Sequence, residues 1–215
     1  MSTAIATNRM LTEAMKPSTE VCLTWAADKP SGFQLLLQQG FVVPVTVGSN
    51  IRAVLCDQLG VSHDYLDNRI NTIFLDGKPV DDVDKATVAD GSTLALSASM
   101  PGLVGAAMRK GGLIARFRGA ITHTDQDSPA QGGQGTITVK LYNLVVDELG
   151  PTFLKSGISL RDEDMQVFLE NRSALFWTDC KKAELNGREV DPGRLLDEKP
   201  PVPGGLVMLK VVTAA

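Results

Sequence analysis

The sequence is poor in the residues most chemistry needs. Its 215 residues hold two histidines and three cysteines. Neither His63 nor His123 is flanked by a serine, cysteine or carboxylate at the spacing of a triad or a metal site. Both read as solvent-facing loop or helix-end side chains. Cys22, Cys56 and Cys180 form no CxxC pair, which leaves zinc binding and thioredoxin-type redox chemistry without support. An odd, widely spaced set fits a reducing compartment. Cys56 reads as a small core hydrophobe. Cys180 precedes Lys181 and Lys182, whose charges could lower its pKa. Phosphate loops of the GxxxxGK[ST] and GxGxxG types are missing, as is a GxSxG elbow. Asp81-Asp82 and Glu163-Asp164 fall in a turn and at a helix start, where carboxylates are solvated or cap. These absences point away from an enzyme and imply no catalytic residue, no metal and no cofactor.

Aromatic residues make up only 5% and the net charge is −4. Both argue against a nucleic-acid partner, which needs stacking surfaces and positive charge. No apolar run approaches the roughly 18 residues that span a bilayer. The first thirty residues lack the basic start and apolar run of a signal peptide, so the cytoplasm is the expected location. What is present is ordinary for a folded chain: 43% apolar and 21% charged residues. The length suits one large domain or two small ones.

A repeat organises the chain. Phe74-Leu75-Asp76-Gly77-Lys78-Pro79-Val80-Asp81 returns as Glu184-Leu185-Asn186-Gly187-Arg188-Glu189-Val190-Asp191. Asp-Gly and Asn-Gly are tight-turn signals because both residues accept positive φ cheaply. Upstream at the same offset, Ser49 and Ser159 are candidate helix N-caps. Ile51, Val54, Leu55 and Leu59 follow the first at helical spacing, with Gly60 as a stop. Leu160, Met165, Phe168 and Leu169 follow the second, and Asp162, Glu163 and Asp164 suit a first helical turn. A strand pair is expected before each helix: 32–47 around Gln39-Gly40, then Ile137, Val139 and Leu141 with a connection through Gly150-Pro151. A closing strand is expected after each turn, 93–98 and 206–212. The fold class is therefore α+β, with two copies of a mixed sheet crossed by one helix. The expected divisions are an N-terminal arm at 1–31, a first domain at 32–105, a connector at 106–133 and a second domain at 134–215. In the arm, Asn8 to Met15 reads as a turn or two of helix ended by Pro17, and Val21 to Trp25 as a short strand. Such an arm covers a sheet edge or exchanges between subunits.

This order resembles the ubiquitin-like β-grasp fold. The first copy is similar to the sulfur-carrier family of thiamine and molybdopterin synthesis, through Ile73 to Asp82 and Val88-Ala89-Asp90-Gly91-Ser92-Thr93-Leu94-Ala95-Leu96. In that family a free C-terminal Gly-Gly enters an adenylating enzyme, and its carboxylate becomes a thiocarboxylate. The sequence here ends Val211-Val212-Thr213-Ala214-Ala215. The resemblance therefore implies sulfur transfer, with an adenylating enzyme as partner, only if cleavage after Gly112 exposes Gly111-Gly112.

The connector region carries the clearest charge bias. From Gly91 to Thr124 there is no acidic residue, yet Arg109, Lys110, Arg116 and Arg118 are interleaved with Leu103, Val104, Met108, Phe117 and other apolar side chains. Arg109, Lys110, Arg116, Phe117 and Arg118 are candidates for docking an acidic protein or a second copy. Packing between domains and attraction to an anionic membrane are the competing readings. Four cations are few for a membrane. The function expected is a non-enzymatic tandem β-grasp interaction or assembly module. A carrier matured after Gly112 and a membrane-surface adaptor are the alternatives.

Overall fold

The computed structural model describes residues 17–26, 30–100, 102–112, 118, 121–123, 132–198 and 203–214. The strands are β1 (Thr19–Trp25), β2 (Phe41–Val47), β3 (Thr72–Leu75), β4 (Lys78–Pro79), β5 (Thr93–Ser97), β6 (Gly133–Tyr142), β7 (Ile158–Arg161), β8 (Cys180–Leu185), β9 (Arg188–Val190) and β10 (Leu206–Thr213). The α-helices are α1 (Gln34–Gln39), α2 (His63–Asn68), α3 (Gly102–Met108), α4 (Leu144–Ser156), α5 (Asp162–Glu170), α6 (Ala174–Trp177) and α7 (Leu195–Glu198). A π-helix covers Ala53–Gln58. The class is α+β, with mixed sheet. The chain divides into an inserted unit, Leu37–Gly150, and a flanking unit made from the chain up to Leu36 and from Pro151 onward.

In the inserted unit the strands run β4-β3-β5-β6-β2. β3 is antiparallel to β4 and β5, β5 is parallel to β6, and β6 is antiparallel to β2. Alternation sorts the faces: Ile73, Leu75, Leu94, Leu96, Val139 and Leu141 are fully or almost fully buried. Ile51, Val54 and Leu55 are buried too, as their helical spacing requires. The cap lies one residue later than expected. Asn50 Oδ1 accepts from the Ala53 amide at 2.8 Å, while Ser49 Oγ accepts from Gln58. The Leu59 amide reaches back five residues to Val54. That wider turn shifts the phase of the apolar face, and Cys56 is half-buried instead of core.

The flanking unit orders its strands β7-β10-β1-β8-β9. β7 is antiparallel to β10, β10 is parallel to β1, and β1 and β9 are both antiparallel to β8. The succession of parallel and antiparallel pairs is the one found in the inserted unit. Trp25, Phe33, Phe168 and Phe176 form an aromatic cluster with centroids 5.2–5.8 Å apart. The Arg172 guanidinium lies 4.5 Å over the Phe168 ring.

The repeated turns are equivalent in detail. Asp76 and Gly77 have φ of 51° and 78°, Asn186 and Gly187 have 51° and 76°, and both hairpins close across the Leu–basic pair. This is the two-residue turn that Asp-Gly and Asn-Gly favour. Each side chain then catches the next strand. Asp76 Oδ1 accepts from the Thr93 amide at 2.7 Å, and Asn186 Oδ1 accepts from the Glu20 amide at 2.8 Å. In both cases the turn's own amide donates back to the carbonyl of that residue. The strand caught is β5 in one unit and β1 in the other.

That equivalence corrects the expected layout. β10 is not the counterpart of β5; β1 is, and β10 corresponds to β6. β1 is therefore a central strand and not an arm over an edge. β6, expected to open the second domain, pairs with β5 and β2 of the inserted unit. The division at 32–105 and 134–215 accordingly does not match the two compact units. The expected hairpin at 32–47 is α1 followed by β2, and Ser159 lies in β7, not at a helix cap. Asp162, Glu163 and Asp164 do fill the first turn of α5. Gly150-Pro151 lies inside α4. A proline there removes one backbone hydrogen bond, but Val145, Val146, Phe153 and Leu154 are buried on either side of it and hold the helix. Residues 8–15 lie outside the described residues.

Glu148 on α4 is bound to residues in and just after α2. Tyr65 Oη donates to Glu148 Oε2 at 2.7 Å, and the Arg69 guanidinium pairs with the same carboxylate. Arg69 first, and Tyr65 second, hold the Glu148 carboxyl below its ordinary value. Desolvation and the same bond push the Tyr65 phenol up.

Two predictions follow from these contacts. Because the folded-state pKa of Glu148 is depressed, its stabilisation is complete above the ordinary glutamate value, about 4.3. It is lost as pH falls through the lowered one. Melting temperatures of the wild type and Glu148→Gln should differ at neutral pH, begin to converge below about pH 4 and meet only once the pH is under the lowered value of Glu148. Asp76→Ala should cost about 2 kcal/mol in urea unfolding, and Asn186→Ala about 1 kcal/mol, because each loses a strand-catching bond and leaves alanine at positive φ.

Candidate functional site

The inserted unit presents its site on the sheet face opposite the buried one. Outward positions line up across strands by register: Phe74 with Ala95 and Lys140, and Thr72 with Ser97 and Tyr142. After β5 the chain folds back over this face. The Asn143 side chain donates from Nδ2 to Ser97 Oγ at 2.8 Å and to the Ser99 carbonyl at 2.9 Å. Both bonds tether the segment leading to Met100. Gly105 on α3 packs so tightly against the Met100 carbonyl that no side chain fits there. The result is a groove of about 340 Å³ lined by Phe74, Ala95, Ser97, Met100, Tyr142 and Asn143. Met100 and Ser99 also line a neighbouring pocket of about 200 Å³, together with Asn71, Thr72, Ala106 and Arg109. Leu103 and Val104, at the start of α3, are 76% and 63% exposed.

In its hairpin the flanking unit is charged at the positions matching the outward ones. Phe74 corresponds to Glu184 and Pro79 to Glu189. Lys182 pairs with Glu184 at 2.8 Å. At these hairpin positions one unit is apolar where the other is charged.

The predicted docking residues are split by the fold. Arg109 is exposed at the rim of the smaller pocket. Lys110 is half-buried and turned inward: its Nζ donates to the Leu66 carbonyl at 2.9 Å, and burial lowers its pKa. Arg118 is buried. Its guanidinium donates to the Ala107 carbonyl at 2.6 Å, to Thr122 Oγ1 at 2.7 Å and to Asp81 Oδ1 at 2.7 Å. Arg116 and Phe117 lie outside the described residues. Lys110 and Arg118 therefore fasten the connector to its own unit, and the four cations do not form one solvent-facing stripe. Sequence supplies charge but not direction. A guanidinium is buried only where acceptors meet its N–H groups, and those acceptors are backbone carbonyls and a carboxylate from distant segments.

The candidate processing site is tied down as well. The Gly111 amide donates to Asp81 Oδ1 at 3.2 Å, and the Gly112 amide to the Arg109 carbonyl at 3.1 Å. β6 follows this point and pairs with strands that precede it. A cut after Gly112 would separate those partners. The Cys180 expectation is reversed: burial pushes the thiol up to about 11, and it donates to the Lys182 carbonyl at 3.3 Å. His63 opens α2, and the backbone amide of His123 donates to the Pro79 carbonyl. No group of histidines, cysteines and carboxylates among the described residues is arranged to hold a metal ion.

Comparison with protein-family models, curated proteins and solved structures finds no match to this chain.

Arg118 provides a check on the clamp. Arg118→Met should destabilise the chain by about 2–3 kcal/mol in denaturant unfolding, since it leaves Asp81 and the Ala107 carbonyl without their donor. Limited proteolysis near Gly111-Gly112 should become faster in the variant.

Proposed function

We propose that this chain is a non-enzymatic protein-interaction or assembly module built from two β-grasp units, and that it docks partners on the outer face of the inserted unit's sheet. The groove formed by Phe74, Ala95, Met100 and Tyr142 carries the reading. It is apolar, is closed by the segment that leads into exposed Leu103 and Val104, and has Phe74 where the flanking unit has the salt-bridged Glu184. Exposed apolar surface of this kind marks interaction sites. Two further observations support the β-grasp assignment. Each unit has a central parallel pair flanked by antiparallel strands, and each has a helical segment between the outer strand and the Asx-Gly hairpin. Among the described residues no helix is long and apolar enough to cross a membrane.

Ala95 is small and sits in the groove, so Ala95→Lys fills it with a charged chain. Tagged wild type and Ala95→Lys are expressed in the native host, cross-linked and purified. Any candidate is then reconstituted from pure components. The wild type should retain a partner that the variant loses at an unchanged melting temperature. A strict monomer by light scattering, with no partner retained and reconstituted by the wild type, would overturn the reading.

A further inference from the structure

We propose that β1 is an exchangeable strand: two copies of this chain trade Thr19–Trp25, each seating its strand between β8 and β10 of the other. The order of strands along the chain carries the inference. In the inserted unit the strand caught by the Asx-Gly turn, β5, comes between β4 and β6 in sequence. In the flanking unit β9 leads to β10 through α7, with no strand between them among the described residues. The segment from Pro151 onward therefore builds β7, β8, β9 and β10 and leaves the place between β8 and β10 for a strand from another stretch of chain. β1 fills it from ahead of the inserted unit.

All the backbone pairing of β1 is long-range. Its two ladders run to Val207 through Thr213 and to Cys180 through Leu185. The bonds at its ends go the same way: the Ser18 amide donates to the Leu206 carbonyl at 3.0 Å, and the Ala26 amide to the Asp179 carbonyl at 2.9 Å. Asn186 latches the strand. It takes the Glu20 amide on Oδ1 at 2.8 Å and gives its own amide to the Glu20 carbonyl at 2.8 Å. None of these bonds ties β1 to residues near it in sequence, so the same set forms unchanged when β1 belongs to a second copy. The slot also selects its occupant. Val21, Leu23 and Trp25 are 0–2% exposed, and Trp25 packs against Phe33 and Phe176. An empty slot would leave those partners and two strand edges open to water, which favours refilling over any open form. A second copy supplies a strand of this register and this alternation.

A cross-link between β1 and β8 reads the exchange. Cys22 lies directly opposite Glu184 in the antiparallel ladder, a spacing that a disulfide spans. In the full chain carrying Glu184→Cys, the new thiol meets Cys22 of its own chain in a closed monomer and Cys22 of the other chain in an exchanged dimer. The variant is unfolded in reducing denaturant, refolded over a range of concentrations, oxidised and run on a non-reducing gel, and peptide mapping locates the disulfide. Covalent dimer joined through Cys22 and the new thiol should rise about tenfold for each tenfold in concentration while monomer predominates. A second measurement needs no added cysteine. Wild-type dimer isolated after refolding and then diluted should return to monomer by light scattering. Asn186→Ala should return about fivefold faster, because its latch is broken in the open form and present in both closed ones. Asp76→Ala, which loses the matching latch of the inserted unit, should leave that rate unchanged. So should Ala95→Lys, which keeps this proposal and the groove reading separately testable. A chain that stays monomeric at every concentration overturns the exchange. So do dimers joined through Cys56 or Cys180, and so does a return to monomer equally fast in Asn186→Ala and the wild type.

Discussion

Two parallel strands cannot be joined by a tight turn, so a sheet with a parallel pair at its centre must bring one partner in from a distance. Each unit of this protein is built on such a pair. In the inserted unit β6 reaches β5 only after the chain has crossed from Ala98 to Gly132. In the flanking unit β1 and β10 stand at opposite ends of the sequence, with the whole of the inserted unit between them. Antiparallel strands then fill in on either side. The apolar side chains Leu94, Leu96, Val139 and Leu141, and Val21, Leu23, Val207 and Leu209, are buried along the two parallel seams. Their desolvation favours the long-range pairing over the entropy lost in closing it.

The crossover after β5 also makes the site. A chain that must travel from the end of one strand to the start of a parallel neighbour passes over the sheet, and here it deposits Met100 and α3 against the outward residues of β3, β5 and β6. Asn143, Gly105, Lys110 and Arg118 hold it there through hydrogen bonds and close packing. The basic character of this region serves two ends. Lys110 and Arg118 are spent on anchoring backbone carbonyls and Asp81, and Arg109 is left facing solvent beside a pocket.

The two units show how one arrangement of strands can carry different surfaces. At matching places in the hairpin, phenylalanine and proline in one unit stand against two glutamates in the other. The salt-bridged face needs no cover, because water and opposite charges satisfy it. The apolar groove, with Phe74, Met100 and Tyr142 lining a cavity open to water, is less well satisfied in the isolated chain. Interaction surfaces commonly carry such a local deficit in stability.

Local chemistry was legible without coordinates wherever neighbours along the chain decide the outcome. The Asp76-Gly77 and Asn186-Gly187 turns, the buried positions of Ile51, Val54 and Leu55, and the acidic first turn of α5 all follow from backbone preference and periodicity over a few residues. Which strands the closing strands at 93–98 and 206–212 would pair with, the role of Thr19–Trp25 and the direction taken by Lys110 and Arg118 did not follow. An apolar alternating strand fits any sheet position that buries one face, and it carries no label naming its neighbour. Nor does a cation state which carbonyl it meets. Those outcomes were decided by contacts between segments up to almost two hundred residues apart, Val21 against Leu209 and Arg118 against Asp81 among them. The groove belongs with them: its lining comes from β3, β5, β6 and the crossing chain, and only the tertiary structure brings these four together.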